Sequence, residues 1–457
     1  MSEKQYIIVT NGRVLTLGSE PKVIENGAVC IDRKTGKIAF VDESEKVKSA
    51  CPDAEVIDAD GKLVMPGFIC AHTHFYSMFS RGKALAGPPA KTFIQVLQRL
   101  WWELDKALSL EDVYLSAVSC VIQAIKCGTT TLIDHHASPN AVAGSLDEIA
   151  KATLGAGVRA CLCYEVTDRN SEEEANAGIS ENIRFMQRCA KEPSPLLAAT
   201  FGLHASFTVN EKIMETISAR LRREVPPETV GVHIHVSESS FDQDDAEYKC
   251  GMTPVQRLEK HGLLGHRSIC VHCVAISESD EDILKETDTI VVHNPSSNMN
   301  NAVGFAKVQR MMEKGVLVGL GTDGMSQDMI SEFKQGYVGH KLAQKDPQAM
   351  SWQLGEMLFK SNAMIAERFF GFPIGHLTPG AAGDVIILDY YPPTPITPGN
   401  WPWHFMFGIT PADVNTTIVA GKVLMKDHIL NLPKPQFDEK AVFERARERS
   451  KDVWAKF

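Results

Sequence analysis

The residues of this chain best suited to chemistry are its histidines. Fifteen are present, and nine of them (72, 74, 135, 136, 204, 233, 235, 272 and 293) fall within or at the ends of apolar runs. His72-Thr73-His74 is the sharpest element. Side chains two apart in a strand share a face, so both imidazoles project the same way and suit one metal ion. His235 is followed three residues later by Glu238. A strict period of two would aim these two apart, so the strand is expected to end near Ser237 and the chain to turn. His233 shares the face of His235 and competes with it as a ligand, but its deeper place in the run suits filling the layer below the ion. Asp323 ends a further apolar run and reads as a metal ligand or a base. Taken singly, each residue has a plain reading, because a lone core histidine is more often a hydrogen-bonded structural group than a ligand. Convergence at strand ends is what argues for chemistry.

Two other patterns carry less. Gly319-Leu320-Gly321-Thr322-Asp323-Gly324 matches the dinucleotide fingerprint G-x-G-x-x-G, but no second strand follows in 325–343, and Asp323 would set a carboxylate beside the pyrophosphate. Cys270 and Cys273 form a lone C-x-x-C around His272. In a strand they point to opposite sides, which argues against a shared metal clip.

The elements that must position these side chains are legible from alternation of apolar runs with helical stretches, the pattern of βα units around a parallel sheet. Eight strands are expected, over 63–74, 129–135, 158–164, 197–204, 230–236, 268–274, 289–293 and 316–323. A helix over 109–126 buries Val113, Ala117, Val121, Ile122 and Ile125 on one face, with Ser109 at its cap. Eight such units suit a (β/α)8 TIM-type barrel, and the His, Asp and Glu residues then lie on its C-terminal rim, where barrel active sites are built. Both chain ends read as β structure. Asn11-Gly12 signals a two-residue hairpin between Tyr6–Thr10 and Arg13–Leu17, and Gly36 marks a second turn. Strands return at 384–388, 416–420 and 422–425. Each set is too small to bury a core alone. The expected organisation is therefore a β-sandwich from 1–62 and 376–432 around a barrel over 63–375, with a C-terminal helix over 433–457.

Composition narrows the function classes. The 457 residues hold 47 Lys+Arg against 57 Asp+Glu, a formal net charge of -10, which argues against a broad nucleic-acid footprint. No run of 18 apolar residues appears, so no membrane partner is expected. The start, Met1-Ser2-Glu3-Lys4-Gln5, lacks a secretory profile and the eleven cysteines lack disulfide-framework spacing, so the expected address is the cytoplasm.

These motifs together resemble the amidohydrolase superfamily, in its branch of chlorohydrolases and aromatic deaminases acting on adenosine derivatives, guanine, cytosine and triazines. Met65-Pro66-Gly67 leading to His72-Thr73-His74 resembles the first-strand motif, and Gly202-Leu203-His204-Ala205-Ser206 the fourth. His233-Ile234-His235-Val236-Ser237-Glu238 and Val271-His272-Cys273 resemble the fifth and sixth, while His293-Asn294-Pro295-Ser296-Ser297-Asn298 and Gly321-Thr322-Asp323-Gly324 resemble the seventh and eighth. Within the branch the chain is similar to an aminohydrolase group found with selenium and purine metabolism genes. The resemblance implies His72, His74, His235 and Asp323 as ligands of one divalent ion, zinc first and iron or manganese as alternatives. It implies Glu238 as proton shuttle and His272 against the ion's water. Asp323 counts among the catalytic groups as well as the ligands. His204 is the implied substrate contact, joined by Ser77, Trp102 and Asn298. Ser77 stands where several purine deaminases carry a longer Gln that reads the ring edge, which argues against guanine-type recognition. Trp101-Trp102-Glu103 either walls the pocket or packs, and 81–92 is an expected lid. No lysine occurs in 197–208 to bridge two ions, which favours one; Glu165 is a bridging acid or, more in keeping with its place, a supporting group.

The implied reaction is hydrolytic deamination of a purine- or pyrimidine-like ring, with a homodimer expected. A divalent ion lowers the pKa of bound water from 15.7 to about 7, worth about 12 kcal/mol, against about 10²–10⁴-fold for a lone general base. Ring-opening hydrolysis of a cyclic amide at the same ion is the alternative. A nicotinamide-dependent oxidoreductase and a structural zinc site in a binding protein are the readings from other classes.

Overall fold

Parallel strands covered on both faces must be apolar along their whole length, and the central runs meet that demand. In the computed structural model, which describes residues 4–457, they form β1 (Phe68–Thr73), β2 (Thr129–His136), β3 (Arg159–Tyr164), β4 (Leu197–Ala199, continued by Phe201–Ala205), β5 (Val232–Val236), β6 (Ile269–His272), β7 (Ile290–His293) and β8 (Val318–Leu320). The strands pair in parallel as two arcs, β1 through Leu197–Ala199 and Phe201–Ala205 through β8. Parallel bridges Val166–Leu203 and Thr73–Asp323 join the arcs, so the barrel closes. Ile133, Cys161, Ile269, Val271, Ile290 and Val292 pack together, and Ile365 and Phe369 of the helix Asn362–Phe370 cover them. The helix Leu110–Lys126 starts as expected. Ser109 Oγ accepts from Asp112 N, and Asp112 Oδ2 accepts from Ser109 N at 2.9 Å.

The chain ends meet in one nine-stranded sheet. Tyr6–Leu15, Val23–Asp32, Lys37–Glu43 and Leu63–Pro66 enter it from the N-terminal side, and Val385–Leu388, Val414–Val419 and Lys422–Lys426 from the C-terminal side. Two expectations change. Asn11-Gly12 is no hairpin: Tyr6–Leu15 is a single strand, and Asn11, at φ 55°, sits at a shift in its pairing with Val23–Asp32. Gly12 is required there because a Cβ would lie 2.4 Å from Val64 Cγ2. The run over 63–74 is two strands. Leu63–Pro66 pairs with Tyr6–Leu15 and Val385–Leu388, and the barrel begins only after Gly67, whose Cβ would collide with Thr130. The terminal helix spans Glu439–Trp454. Among the described residues no single helix is long and apolar enough to cross a membrane.

Sheet and barrel are tied by a buried ion pair. Arg159 at the start of β3 donates to Asp384 through Nη2 at 3.0 and 3.1 Å and through Nε at 3.2 Å, and also to Pro195 O. Both side chains are at most 2% exposed. Removing one partner strands the other charge away from water, at a cost of about 3–5 kcal/mol. Asp384→Ala is therefore expected to lower the unfolding free energy by that amount in a denaturant titration, and Arg159→Met added to it to recover part of the loss.

Candidate active site

The site lies at the C-terminal end of the barrel strands, and the imidazoles of His72, His74, His235 and His272 are each held by Nδ1. His74 Nδ1 donates to His135 O at 2.6 Å, His235 Nδ1 to His204 O at 2.8 Å and His272 Nδ1 to Asn298 Oδ1 at 2.8 Å. His72 Nδ1 shares a hydrogen with His233 Nε2 at 2.8 Å. Fixing one ring nitrogen aims the other. The Nε2 atoms of His74 and His235 come within 3.3 Å of each other. Asp323 Oδ1 lies 3.0 Å from His74 Nε2 and 3.6 Å from His72 Nε2. Ser297 Oγ donates to Asp323 Oδ2 at 2.5 Å and fixes the carboxylate.

The backbone bends to reach these positions. A register shift between Cys70 and Thr73 puts an extra residue into β1, and Phe75 N, just past His74, donates to Asp134 Oδ1 at 2.8 Å. β5 ends at Val236, and Ser237 turns the chain at φ 46°, which brings Glu238 round to the cavity that His235 faces. His272, Cys273 and Asp323 also take left-handed conformations, at φ 72°, 51° and 52°. Non-glycine residues pay strain there, and such residues concentrate at functional sites.

The donor set fits a divalent ion. His72, His74, His135 and His235 offer ligand atoms within 4.8 Å of one another, and so do His72, His235, His272 and Asp323. A tetrahedral ion with bonds of about 2.0–2.1 Å needs donors roughly 3.3 Å apart, close to the spacings around His74. The Nε2 atoms of His72 and His272 are buried with no hydrogen-bond partner. Charge balance points the same way. Burial pushes His72 down to about 3, against its bond to Asp323. His74 is also disfavoured by burial, yet its bonds to Asp323 and Glu165 raise it well above the usual imidazole value. Burial would raise Asp323, but its bonds to His72 and His74 hold it far below the carboxylate range. Asp323 and Glu165 thus draw positive charge to His74, and a cation at the Nε2 focus would supply it equally.

Of the other expected residues, Glu238 and His204 line the cavity in front of this focus. Glu238 Oε2 is 3.4 Å from His272 Nε2, and Asn301 Nδ2 donates to Glu238 Oε1 at 3.1 Å. His204 Nδ1 is tied to Thr208 Oγ1 at 2.8 Å. Three expected substrate contacts lie elsewhere. Ser77 is buried and donates to His74 O at 2.7 Å. Asn298 is buried behind His272 and accepts from it. Trp101, the last residue of the π-helical turn Leu97–Trp101, lines the cavity wall, whereas Trp102 stands behind it with its ring 6.3 Å from that of His204 and Arg169 5.1 Å from its own. His233 is a support for His72, and neither Cys270 nor Cys273 belongs to a metal-donor group among the described residues.

Glu165 is more central than its sequence signal implied. Buried and 2% exposed, its Oε1 lies 3.1 Å from His74 Nδ1 and 3.6 Å from His135 Nδ1, and its Oε2 3.9 Å from His204 Nε2. Burial opposes its charge, but the bond and charge of His74 hold it down to about 2. Sequence reasoning missed Ser297, Asn301 and Asp242, which lie in ordinary polar runs without a distinguishing pattern.

Comparison with known proteins places this geometry. The chain matches the amidohydrolase family model over residues 63–424. It is 32% identical over 455 residues to a 5'-deoxyadenosine deaminase of Methanosarcina acetivorans, covering 98% of this chain and 99% of that one. A 5-methylthioadenosine/S-adenosylhomocysteine deaminase of Thermococcus sibiricus is 32% identical over 426 residues, with 92% and 94% covered. Among solved structures, an adenosine deaminase from Xanthomonas campestris with bound zinc superposes with a TM-score of 0.84 at 22% identity, covering 98% of each chain. The Escherichia coli guanine deaminase gives 0.77 at 20% identity, covering 93% of this chain and all of that one. With a metal-donor focus at the rim of a closed barrel and a family match over most of its length, the chain belongs to the amidohydrolase family.

Proposed function

We propose that this chain is a metal-dependent deaminase of an amino-substituted N-heterocycle of the adenosine-derivative kind, using one zinc ion held by His72, His74, His235 and Asp323. The observation that carries the reading is that Glu238 and His204 open onto the same cavity as His74, His235 and Asp323. The relatives named as 5'-deoxyadenosine and 5-methylthioadenosine/S-adenosylhomocysteine deaminases support the substrate kind, and the zinc in the Xanthomonas structure supports the metal.

A divalent ion at the focus makes water a nucleophile at neutral pH by lowering its pKa toward about 7. The protein's own groups do the rest. Burial, then the charge of Asp323, pushes Glu238 up to about 8 before any cation is bound, and its Oε2, 3.4 Å from His272 Nε2, stands where a proton would be moved. Glu238 takes a proton from water and delivers it to a ring nitrogen next to the amino-bearing carbon. The water oxygen bonds to that carbon, the C–N bond breaks, and ammonia leaves with protons passed through Glu238. Asn301 holds one Glu238 oxygen, leaving the other toward His272. Because His272 Nδ1 is spent on Asn298, its Nε2 faces the reacting atoms. Glu165 steers His74 and faces His204, which presents its free edge to the substrate ring. Trp101 and Phe207 wall the cavity with apolar surface.

Zinc-loaded protein is expected to release ammonia from 5'-deoxyadenosine or 5'-methylthioadenosine, and Glu238→Gln to lower kcat by about 10²–10⁴-fold with metal content unchanged. Full activity in that variant would remove Glu238 from the mechanism, and a new carboxylate without ammonia would mark ring opening. Chelation is expected to abolish activity and lower Tm, both restored by zinc. Glu165→Gln should weaken zinc binding by about 10–100-fold in a competition titration, because it withdraws the carboxylate that orients His74.

A further inference from the structure

Glu238 reaches the cavity only because Ser237 turns the chain at φ 46°. A non-glycine residue persists in that conformation when its surroundings fix it. On the carbonyl side, Ser237 O accepts from Val274 N and Ala275 N at 3.1 and 3.0 Å, in the loop just past His272. On the amide side, Ser237 N donates to Asp242 Oδ2 at 2.8 Å. The other oxygen, Asp242 Oδ1, accepts from Phe207 N at 3.1 Å. One carboxylate thus joins two turns that follow different strands, β4 and β5.

The turn after β4 carries part of the cavity wall. It spans Ser206–Thr208; Phe207 and His204 both line the cavity, and Thr208 Oγ1 is tied to His204 Nδ1 at 2.8 Å. Arg257, 3% exposed, holds carbonyls of this segment, donating through Nη1 to Ser206 O and through Nη2 to Val209 O, each at 2.6 Å. The Phe207 amide is held by Asp242.

Asp242 lies in the first turn of the helix Ser240–Cys250, where a carboxylate ordinarily bonds back to the start of its own helix. Both of its bonds run outside the helix instead, and Ser239 at the cap makes no side-chain bond. The residue is 3% exposed. Its placement serves the two turns rather than the helix that carries it.

Resting on the deaminase reading above, we propose that Asp242 is a positioning residue for that reaction: its carboxylate locks the turn that aims Glu238 to the turn that carries Phe207 and secures His204. An amide in its place has one oxygen where the carboxylate has two. Asp242→Asn therefore holds one of the two N–H groups and sets its own NH2 against the other.

The test uses zinc-loaded full-length protein and ammonia release from 5'-deoxyadenosine. Burial pushes the Asp242 carboxyl up to about 7 against its two bonds, so the assay is run at about pH 8, where it is ionised. Displacing a catalytic group by about 1 Å can cost about 100-fold in rate, so Asp242→Asn is expected to lower kcat about 10–100-fold and raise KM about threefold, with zinc content unchanged. In a Glu238→Gln background the same change is expected to alter kcat by less than about threefold, because the group it aims no longer works. Equal losses in both backgrounds, or an unchanged kcat in Asp242→Asn, would overturn the positioning role. Should Asp242→Asn not fold, Asp242→Glu, which sets both oxygens one methylene further out, carries the same cycle. Amide exchange, read by mass spectrometry on the peptides that hold Phe207 and Ser237, follows the two bonds without reference to activity. At least one of the two peptides is expected to exchange faster in the variant. Wild-type protein that releases no ammonia would overturn the deaminase reading, and unchanged exchange in both peptides would overturn the lock between the turns.

Discussion

A carboxylate cannot be taken out of water into a nest of imidazoles unless positive charge comes with it, and the whole rim of this barrel is organised around that demand. Asp323, its side chain 14% exposed to the cavity, faces the buried His72, His74 and His272, with Glu165 on the other side of His74. Protons on imidazoles would balance the charges only by leaving some rings desolvated and charged. A divalent cation at the Nε2 focus balances them with every Nδ1 still bonded to a carbonyl, an amide or a second histidine. The choice of which nitrogen faces inward is therefore made by the protein before any ion arrives.

The scaffold explains how such a focus is held. Strands from different parts of the chain each deliver one or two polar side chains beyond an apolar run, and the inner cluster around Ile133, Val271 and Val292 closes the barrel below them. Support then comes from groups behind the donors: His233 under His72, Asn298 behind His272, Ser297 on Asp323 and Glu165 beside His74. The left-handed residues Ser237, His272 and Asp323 show where regular strand geometry was given up to aim a side chain.

The barrel, its eight strands and the convergence of His72, His74, His235 and Asp323 at its rim were legible because their signals are strong and local: apolar runs of strand length ending in His or Asp. The turn at Ser237 followed from side-chain parity alone. Parity failed where backbone irregularity intervenes. The extra residue in β1 lets Ala71 join the inner cluster while His72 beside it enters the site, and His272 owes its direction to a positive φ. Trp101 reaches the cavity wall at the end of a π turn while Trp102 packs against His204 behind it, and no composition signal marks such a turn. Asn298 and Ser77 have residue types suited to substrate contact, yet Asn298 Oδ1 is bonded to His272 and Ser77 Oγ to His74, a fact visible only once the strands are packed. Asn11-Gly12 carries the strongest local hairpin signal in the chain and is a shift within one strand, because pairing with both neighbours extends it.

The central claim is that one ion sits where the Nε2 atoms of His72, His74 and His235 meet Asp323. Anomalous diffraction at the zinc edge from a crystal of the zinc-loaded protein tests it directly. The account predicts a single strong peak within bonding distance of those three nitrogens and an Asp323 oxygen. A peak centred between Glu165 and His204, or one with Asp323 well outside bonding distance, would contradict it.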